Sequence, residues 1–437
     1  MSTELGGVAV RAAVRVAGTD VAVGRDELAG LARRAAHGLR RRFAPGERVA
    51  LCVDGTPETI AGLLGCWLAG LDVLLAEPGS SYLADARPDV RAVLGPGDIA
   101  FAEERPLPPV DPPRVLQFTS GSTGEPKLAV QPLEHILRGG ELYRDLHGLT
   151  AGSVIVAPLP LAHSFGLGAG LAAALAGGAT LVTMPRLNLR SLAALLAGDP
   201  APVLLGTPLL YSLLAQARPA PLPRPATLLT SGGPMPADVV AATTAWNGRP
   251  PWQCYGSTET GLICAQHERD LPWHPDGVGS PVPGARIAVA DDGLLHVTTD
   301  TMFDGYLGEP PRTAPAFATG DAGRLEDGEL RLLGRKSTFI NVGGRKVNPA
   351  RLERVVREAV PVRDVVAYGV AVRTGDEEVH LAVVGAEPDR VMEACRRRLS
   401  PHELPRAVHV LPELPRGPLG KVDRGRLPRP SREESTT

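Results

Sequence analysis

Cysteine is scarce in this chain. Its five residues, Cys52, Cys66, Cys254, Cys264 and Cys395, are odd in number, scattered and without a C-x-x-C pair. That pattern excludes a disulfide framework and a zinc site and leaves ordinary buried thiols. Net charge is nearly absent too. With 46 basic against 48 acidic side chains, the chain has no electrostatic reason to seek nucleic acid or an anionic membrane. The opening stretch, "MSTELGGVAVRAAVRVAGTD", lacks the basic start, apolar block and cleavage site of a signal peptide, so a cytoplasmic enzyme is the expectation. Between Leu146 and Pro185 there is no Asp, Glu, Lys or Arg. Pro158, Pro160 and repeated Gly and Ala interrupt that stretch, so it holds no uniform apolar run of about 20 residues such as a membrane span requires. A buried strand, helix and strand of a parallel sheet accounts for it.

What is present is length and alternation. A chain of 437 residues exceeds one ordinary domain and suggests two or three. Short apolar runs recur with helical patterns between them: "RVALCV" before "PETIAGLLGCWLAG", "SVIVAPL" before "GLGAGLAAALAGG", "TLVTM" before "LRSLAALLAG", "PVLLGTP" before "LLYSLLAQ", and "ATLLTSG" before "ADVVAATTAW". This predicts a mostly parallel sheet covered by helices. Ile60, Leu63, Leu64 and Trp67 fall on one helical face, as core. Two Pro-rich connectors, 104–114 and 217–226, read as exposed loops. From about Gly284 the strands become short and turn-rich around Asp-Gly pairs, as in antiparallel hairpins. A final segment has its own helix and strands, and a domain boundary is expected within 334–338.

The stretch "TSGSTGEPK" is the first with chemistry in it. It runs from Thr119 through Ser120, Gly121, Ser122, Thr123 and Gly124 to Lys127, after the strand-like "VLQF". Gly121 and Gly124 open backbone conformations closed to other residues, so successive amides can turn inward with the hydroxyls and the lysine around an anion. The stretch reads as a phosphate cradle. Its spacing is not that of a P-loop ATPase, because Pro126 precedes Lys127 and Leu128 follows it. "GLGAG" lacks the full dinucleotide-binding fingerprint and the acid about 20 residues on, which weighs against an oxidoreductase.

In form and order, this and the following motifs resemble the adenylate-forming superfamily of acyl-CoA and aryl-CoA synthetases, adenylation domains and luciferases. The resemblance runs from about Leu28 to Arg426. It implies an α/β fold: a large N-terminal domain of parallel sheets covered by helices with a β-rich subdomain (1–334), then a small mobile α+β C-terminal domain (335–437). It also implies ATP, Mg²⁺ and a thiol of coenzyme A or of a phosphopantetheine carrier protein, with a small carboxylic acid as substrate. Leu128 departs from the glycine usual after the cradle lysine. Before the cradle the chain is shorter than most relatives, so an exposed sheet edge, or a partner covering it, is expected.

The roles that follow are those the resemblance implies. "PLPLAHSFGLG" (158–168) looks like the wall of the acyl pocket. It holds no acid to pair an α-amino group, and a buried unpaired ammonium is costly, which favours an acid lacking that group. His163 borders the acyl and pantetheine passages, and "AHS" favours an aryl over an aliphatic acid, although Ser164 stands where some aryl activators have Asn. Phe165, Gly256 and Leu262 are further pocket positions. "LLTSGGPMP" places Gly232 and Gly233 beside the purine. In "YGSTET", Tyr255 stacks on adenine, Thr258 contacts the α-phosphate and Glu259 holds magnesium, which suits an aromatic face and a hard carboxylate oxygen. In "FATGD", Asp321 accepts from the ribose hydroxyls. Arg335 contacts ribose and phosphate, Ser337 stands at the hinge where relatives have Asp or Lys, and Gly343 and Gly344 line the thiol tunnel. Lys421, in "LPRGPLGKVDR", reaches the acyl carboxylate and the α-phosphate. The final acceptor stays open between coenzyme A, a carrier protein and an amine, and a non-catalytic scaffold of the same fold is the rival from another class.

Overall fold

A computed structural model of the chain describes residues 4–5, 8–80, 83, 90–102, 110–119, 127–217, 219–267, 273–274, 276–291, 293–335, 340–342, 345–371, 377–399, 403–416 and 422–429. The chain forms two compact units. The larger comprises Met1–Ala288, His296–Thr319 and Leu325–Arg331; the smaller comprises Val289–Leu295, Gly320–Arg324 and Leu332–Thr437.

The apolar runs of the larger unit become strands of two sheets. Among the described residues the first has nine strands. Its centre is a parallel run in the order Trp252–Ser257, Thr227–Thr230, Val203–Gly206, Val154–Ala157, Thr180–Thr183 and Ala13–Val16. Strands covered on both faces need apolar residues at every position, and Val203–Gly206 is buried throughout. The charge-free stretch resolves as expected into strand Val154–Ala157, a helical segment and the parallel strand Thr180–Thr183. Among the described residues no helix is long and apolar enough to cross a membrane.

The second sheet has six strands among the described residues. Val93–Leu94, Arg48–Cys52, Asp72–Ala76 and Arg114–Thr119 run parallel, Lys127–Pro132 adds antiparallel to Arg114–Thr119, and Gly305–Tyr306 pairs antiparallel with Lys127–Pro132. Helix Pro57–Ala69 shows why such segments start and stop where they do. Thr56 caps its N-terminus by accepting from the Thr59 amide, Pro57 opens it, and Gly70 closes it at φ 76°, the residue types each position favours. Its Gly65 lets helix Arg25–Arg40 approach closely, since a Cβ there would lie 2.6 Å from the Ala35 Cβ. Ile60, Leu63, Leu64 and Trp67 are buried, as are all five cysteines, none of them bonded to another.

The expected Asp-Gly hairpin forms after Phe317–Glu326. Asp327 and Gly328 both take positive φ, 51° and 84°, the geometry of a two-residue type I′ turn. In the smaller unit, strands Asp364–Ala371 and Glu377–Val384 pair antiparallel and Ala407–Val410 adds in parallel, with helices Pro349–Ala359 and Pro388–Arg398 packed by an apolar cluster that includes Leu352, Val356, Leu381 and Val391.

Candidate active site

In open α/β sheets, ligands bind beyond the carboxyl ends of the parallel strands. Those ends are where the candidate residues of the larger unit lie. Thr119 closes strand Arg114–Thr119, Gly232 and Gly233 follow Thr227–Thr230, and the 158–168 stretch follows Val154–Ala157. Thr258 and Glu259 follow Trp252–Ser257.

Thr119 is buried, and its hydroxyl donates to the Lys127 carbonyl at 3.4 Å across the antiparallel pair. Ser120, Gly121, Ser122, Thr123 and Gly124 lie outside the described residues. Lys127 is half-exposed. Its Nζ is 2.7 Å from Glu309 Oε1 and 4.9 Å from the centre of the Tyr306 ring.

Thr258 and Glu259 sit on the turn joining strands Trp252–Ser257 and Gly261–Ala265, whose register shifts between Tyr255 and Gly256. The turn is anchored from beneath. Thr260 is fully buried, and its carbonyl accepts hydrogen bonds from the hydroxyls of Thr299 at 2.5 Å and Thr301 at 2.7 Å. The Thr258 carbonyl accepts from the Gln131 amide, and its hydroxyl lies 2.8 Å from Ser164 Oγ. Ser164 also reaches Gln117 Oε1 at 3.2 Å, while Gln117, itself buried, donates through Nε2 to the Ala162 carbonyl at 2.7 Å. Glu259 Oε1 accepts from the Tyr306 hydroxyl at 2.8 Å.

His163 Nε2 lies 2.8 Å from Glu77 Oε1. Phe165 packs at the edge of the main core, with its ring 6.3 Å from that of Tyr143. Burial and the neighbouring Cys254 hold the Tyr143 phenol well above its ordinary range, and burial pushes Cys254 up to about 12. Leu262 is buried in the same core, Tyr255 is buried in its strand, and Gly256 is exposed. Immediately after Phe165 the chain winds as a π-helix, Gly166–Ala172, a rare form frequent at functional sites. Asp321 and Arg335 belong to the smaller unit, in strands Phe317–Glu326 and Glu329–Arg335. Ser337, Gly343, Gly344 and Lys421 lie outside the described residues. Lys421 is next in sequence to Val422, which bridges to Arg416.

The larger unit thus gathers a turn with a carboxylate, two hydroxyls and a lysine, a set suited to a phosphate and its cation. Residues 72–307, more than half of the chain, match the AMP-binding enzyme family. The chain belongs to this family. Among known AMP-binding enzymes it is 31% identical to a long-chain-fatty-acid–CoA ligase of Salmonella typhimurium, over 71% of this chain and 60% of that one. It is 25% identical to a 3,4-dihydroxybenzoate–[aryl-carrier protein] ligase of Bacillus anthracis, over 71% of this chain and 73% of that one. Its fold matches the O-succinylbenzoate coenzyme A synthetase of Bacillus subtilis in complex with ATP and magnesium ion, with a TM-score of 0.82 at 21% identity, covering 94% of this chain and 96% of that one. The chain spans about 60% of the length of the first relative named.

Five residues that touch the candidate residues carry no motif of their own: Glu77, Gln117, Gln131, Tyr306 and Glu309. For Glu77 a signal exists, since it directly follows "DVLLA", at the carboxyl end of a parallel strand.

Proposed function

We propose that the chain activates a carboxylic acid with ATP. The acid's carboxylate attacks the α-phosphorus, the bond to the pyrophosphate breaks, and an acyl-adenylate remains with its acyl group ready for a thiol of coenzyme A or of a carrier protein. AMP leaves in that second step. The observation carrying this reading is the turn at Thr258 and Glu259, held by Ser164, Gln131 and Tyr306 within the family match.

The residues present suit a magnesium nucleotide. Glu259 offers a hard carboxylate oxygen on a half-buried turn, the donor type magnesium takes. Gly256, exposed and without a side chain, follows Tyr255, as close approach of a purine requires. Glu259 would hold the metal, which when bound draws charge from the phosphate oxygens. Thr258 donates to the α-phosphate, Lys127 and the segment Ser120–Gly124 hold the outer phosphates, and Tyr255 with Gly232 and Gly233 borders the base. In the smaller unit Asp321 and Arg335 serve ribose and phosphate, and Lys421 steadies the acid's carboxylate while negative charge shifts. Rotation about Ser337 would then bring Gly343 and Gly344 to the thiol path.

The favoured acid lacks an α-amino group. No carboxylate lies within 158–168, and the one that the fold brings to His163, Glu77, is engaged by the imidazole. Between acids, an aryl substrate is preferred on the "AHS" segment.

Exchange of labelled pyrophosphate into ATP, with benzoates and fatty acids in parallel, tests this. Exchange with one class is expected, and Lys421→Ala should lose it while still passing acyl from a supplied acyl-adenylate to a thiol. A protein that neither binds ATP nor yields AMP with any acid is the scaffold instead.

A further inference from the structure

Glu259 is gripped twice by one short segment. The Phe303 amide donates to its backbone carbonyl at 2.9 Å, and three residues on, the Tyr306 hydroxyl donates to its carboxylate at 2.8 Å. The Tyr306 ring is itself braced, edge to face, by Phe303 at 5.0 Å, and Phe303 in turn by Phe317 at 5.3 Å. Tyr306 pairs with Ala129 on the neighbouring strand. Lys127 and Ala129 share a face because side chains alternate along a strand, so the ring and the ammonium meet diagonally, with Nζ 4.9 Å from the ring centre. One aromatic side chain therefore touches both the carboxylate and the lysine.

We propose that Tyr306 is a positioning residue that orients the Glu259 carboxylate for magnesium and couples it to Lys127. It holds only if Glu259 serves the metal as proposed above. A carboxylate already fixed by a hydrogen bond need not be ordered when the ion arrives, and loss of such an outer partner typically weakens metal affinity by about 10- to 100-fold. The ring contributes separately, by keeping the ammonium over an aromatic face as its partner changes from Glu309 to phosphate.

Tyr306→Phe removes the hydroxyl and keeps the ring. With ATP held at saturation, magnesium is titrated and the rise in melting temperature recorded, and Mn²⁺ binding is followed in parallel by electron paramagnetic resonance. The variant should need about tenfold more of either ion, with its ligand-free melting temperature and its ATP affinity in EDTA unchanged. Tyr306→Leu should add a loss of ATP affinity in EDTA. An ion midpoint equal to the parent's overturns the proposal, and so does a shift seen only together with a fall in ligand-free stability, which would make Tyr306 merely structural. If the parent itself gains no stability from magnesium and ATP, the proposed function falls and takes this role with it.

Discussion

Gly256→Ala separates two reasons for a glycine beside the proposed base site. If the residue were glycine only to let a ligand approach, alanine would spare the free protein and weaken binding alone. The hairpin says otherwise. A Cβ at Gly256 would lie 2.2 Å from the Gly261 carbonyl oxygen, 3.1 Å from its carbon and 3.2 Å from the Leu262 Cα. All three are backbone atoms of the paired strand, so no side chain can rotate away and the strands themselves must part. Overpacking of this kind typically costs about 1–3 kcal/mol, and in sizeable domains each kcal/mol lowers the melting temperature by about 2–4 °C. The turn at Thr258 and Glu259 joins these same two strands, so the stabilisation by ATP and magnesium should shrink as well. Thermal melting by circular dichroism, with and without both ligands, reads the two effects. A ligand-free variant melting within about 1 °C of the parent would refute the steric argument.

Two further perturbations test the surroundings. Lys127 and Glu309 are 39% and 46% exposed, and such a pair contributes about 0–1 kcal/mol. Glu309→Gln should therefore tighten ATP binding at low salt by at most about fivefold, with any gain disappearing in high salt; calorimetry showing a larger gain, or one that persists in high salt, would refute the competition. Burial, with the charge of His267 adding to it, pushes the His147 imidazole down to about 4 from 6.5. The unfolded chain takes up that proton first as pH falls, so stability is full above about 6.5, declines through the window and is lost by about 4, on the order of 3 kcal/mol in all. His147→Gln should flatten the melting profile across that window, and an unchanged slope would assign the pH dependence elsewhere.

The parallel architecture was legible because a strand covered on both faces needs an unbroken apolar run, as in "RVALC" and "VLLG". The Asp-Gly turn at Asp327 was legible for a local reason too, its positive φ angles. Ser164 and Thr258 each stand in a short motif, but their contact joins residues 94 apart in the chain. Gln117, Gln131 and Tyr306 left no such trace, because they act through contacts to residues distant in the chain, and a lone glutamine or tyrosine in a strand looks like any other. Glu77 leaves no mark in the pocket-wall stretch, since the acid meeting His163 lies 86 residues earlier in the chain. The π-helix after Phe165 was also beyond reach, since "GLGAGLA" has the composition of an ordinary buried helix.

The contacts of Ser164 have a directional consequence. Its single hydroxyl hydrogen faces two acceptors, Thr258 Oγ1 at 2.8 Å and Gln117 Oε1 at 3.2 Å, and it can serve one well at a time. Pointed at Gln117, it makes Thr258 the donor of their shared bond and turns the threonine's own hydrogen inward. Pointed at Thr258, it frees that hydrogen to face outward, toward an anion. Rotation of one hydroxyl hydrogen, with no heavy atom displaced, thus sets whether the turn offers a positive or a negative end to its visitor.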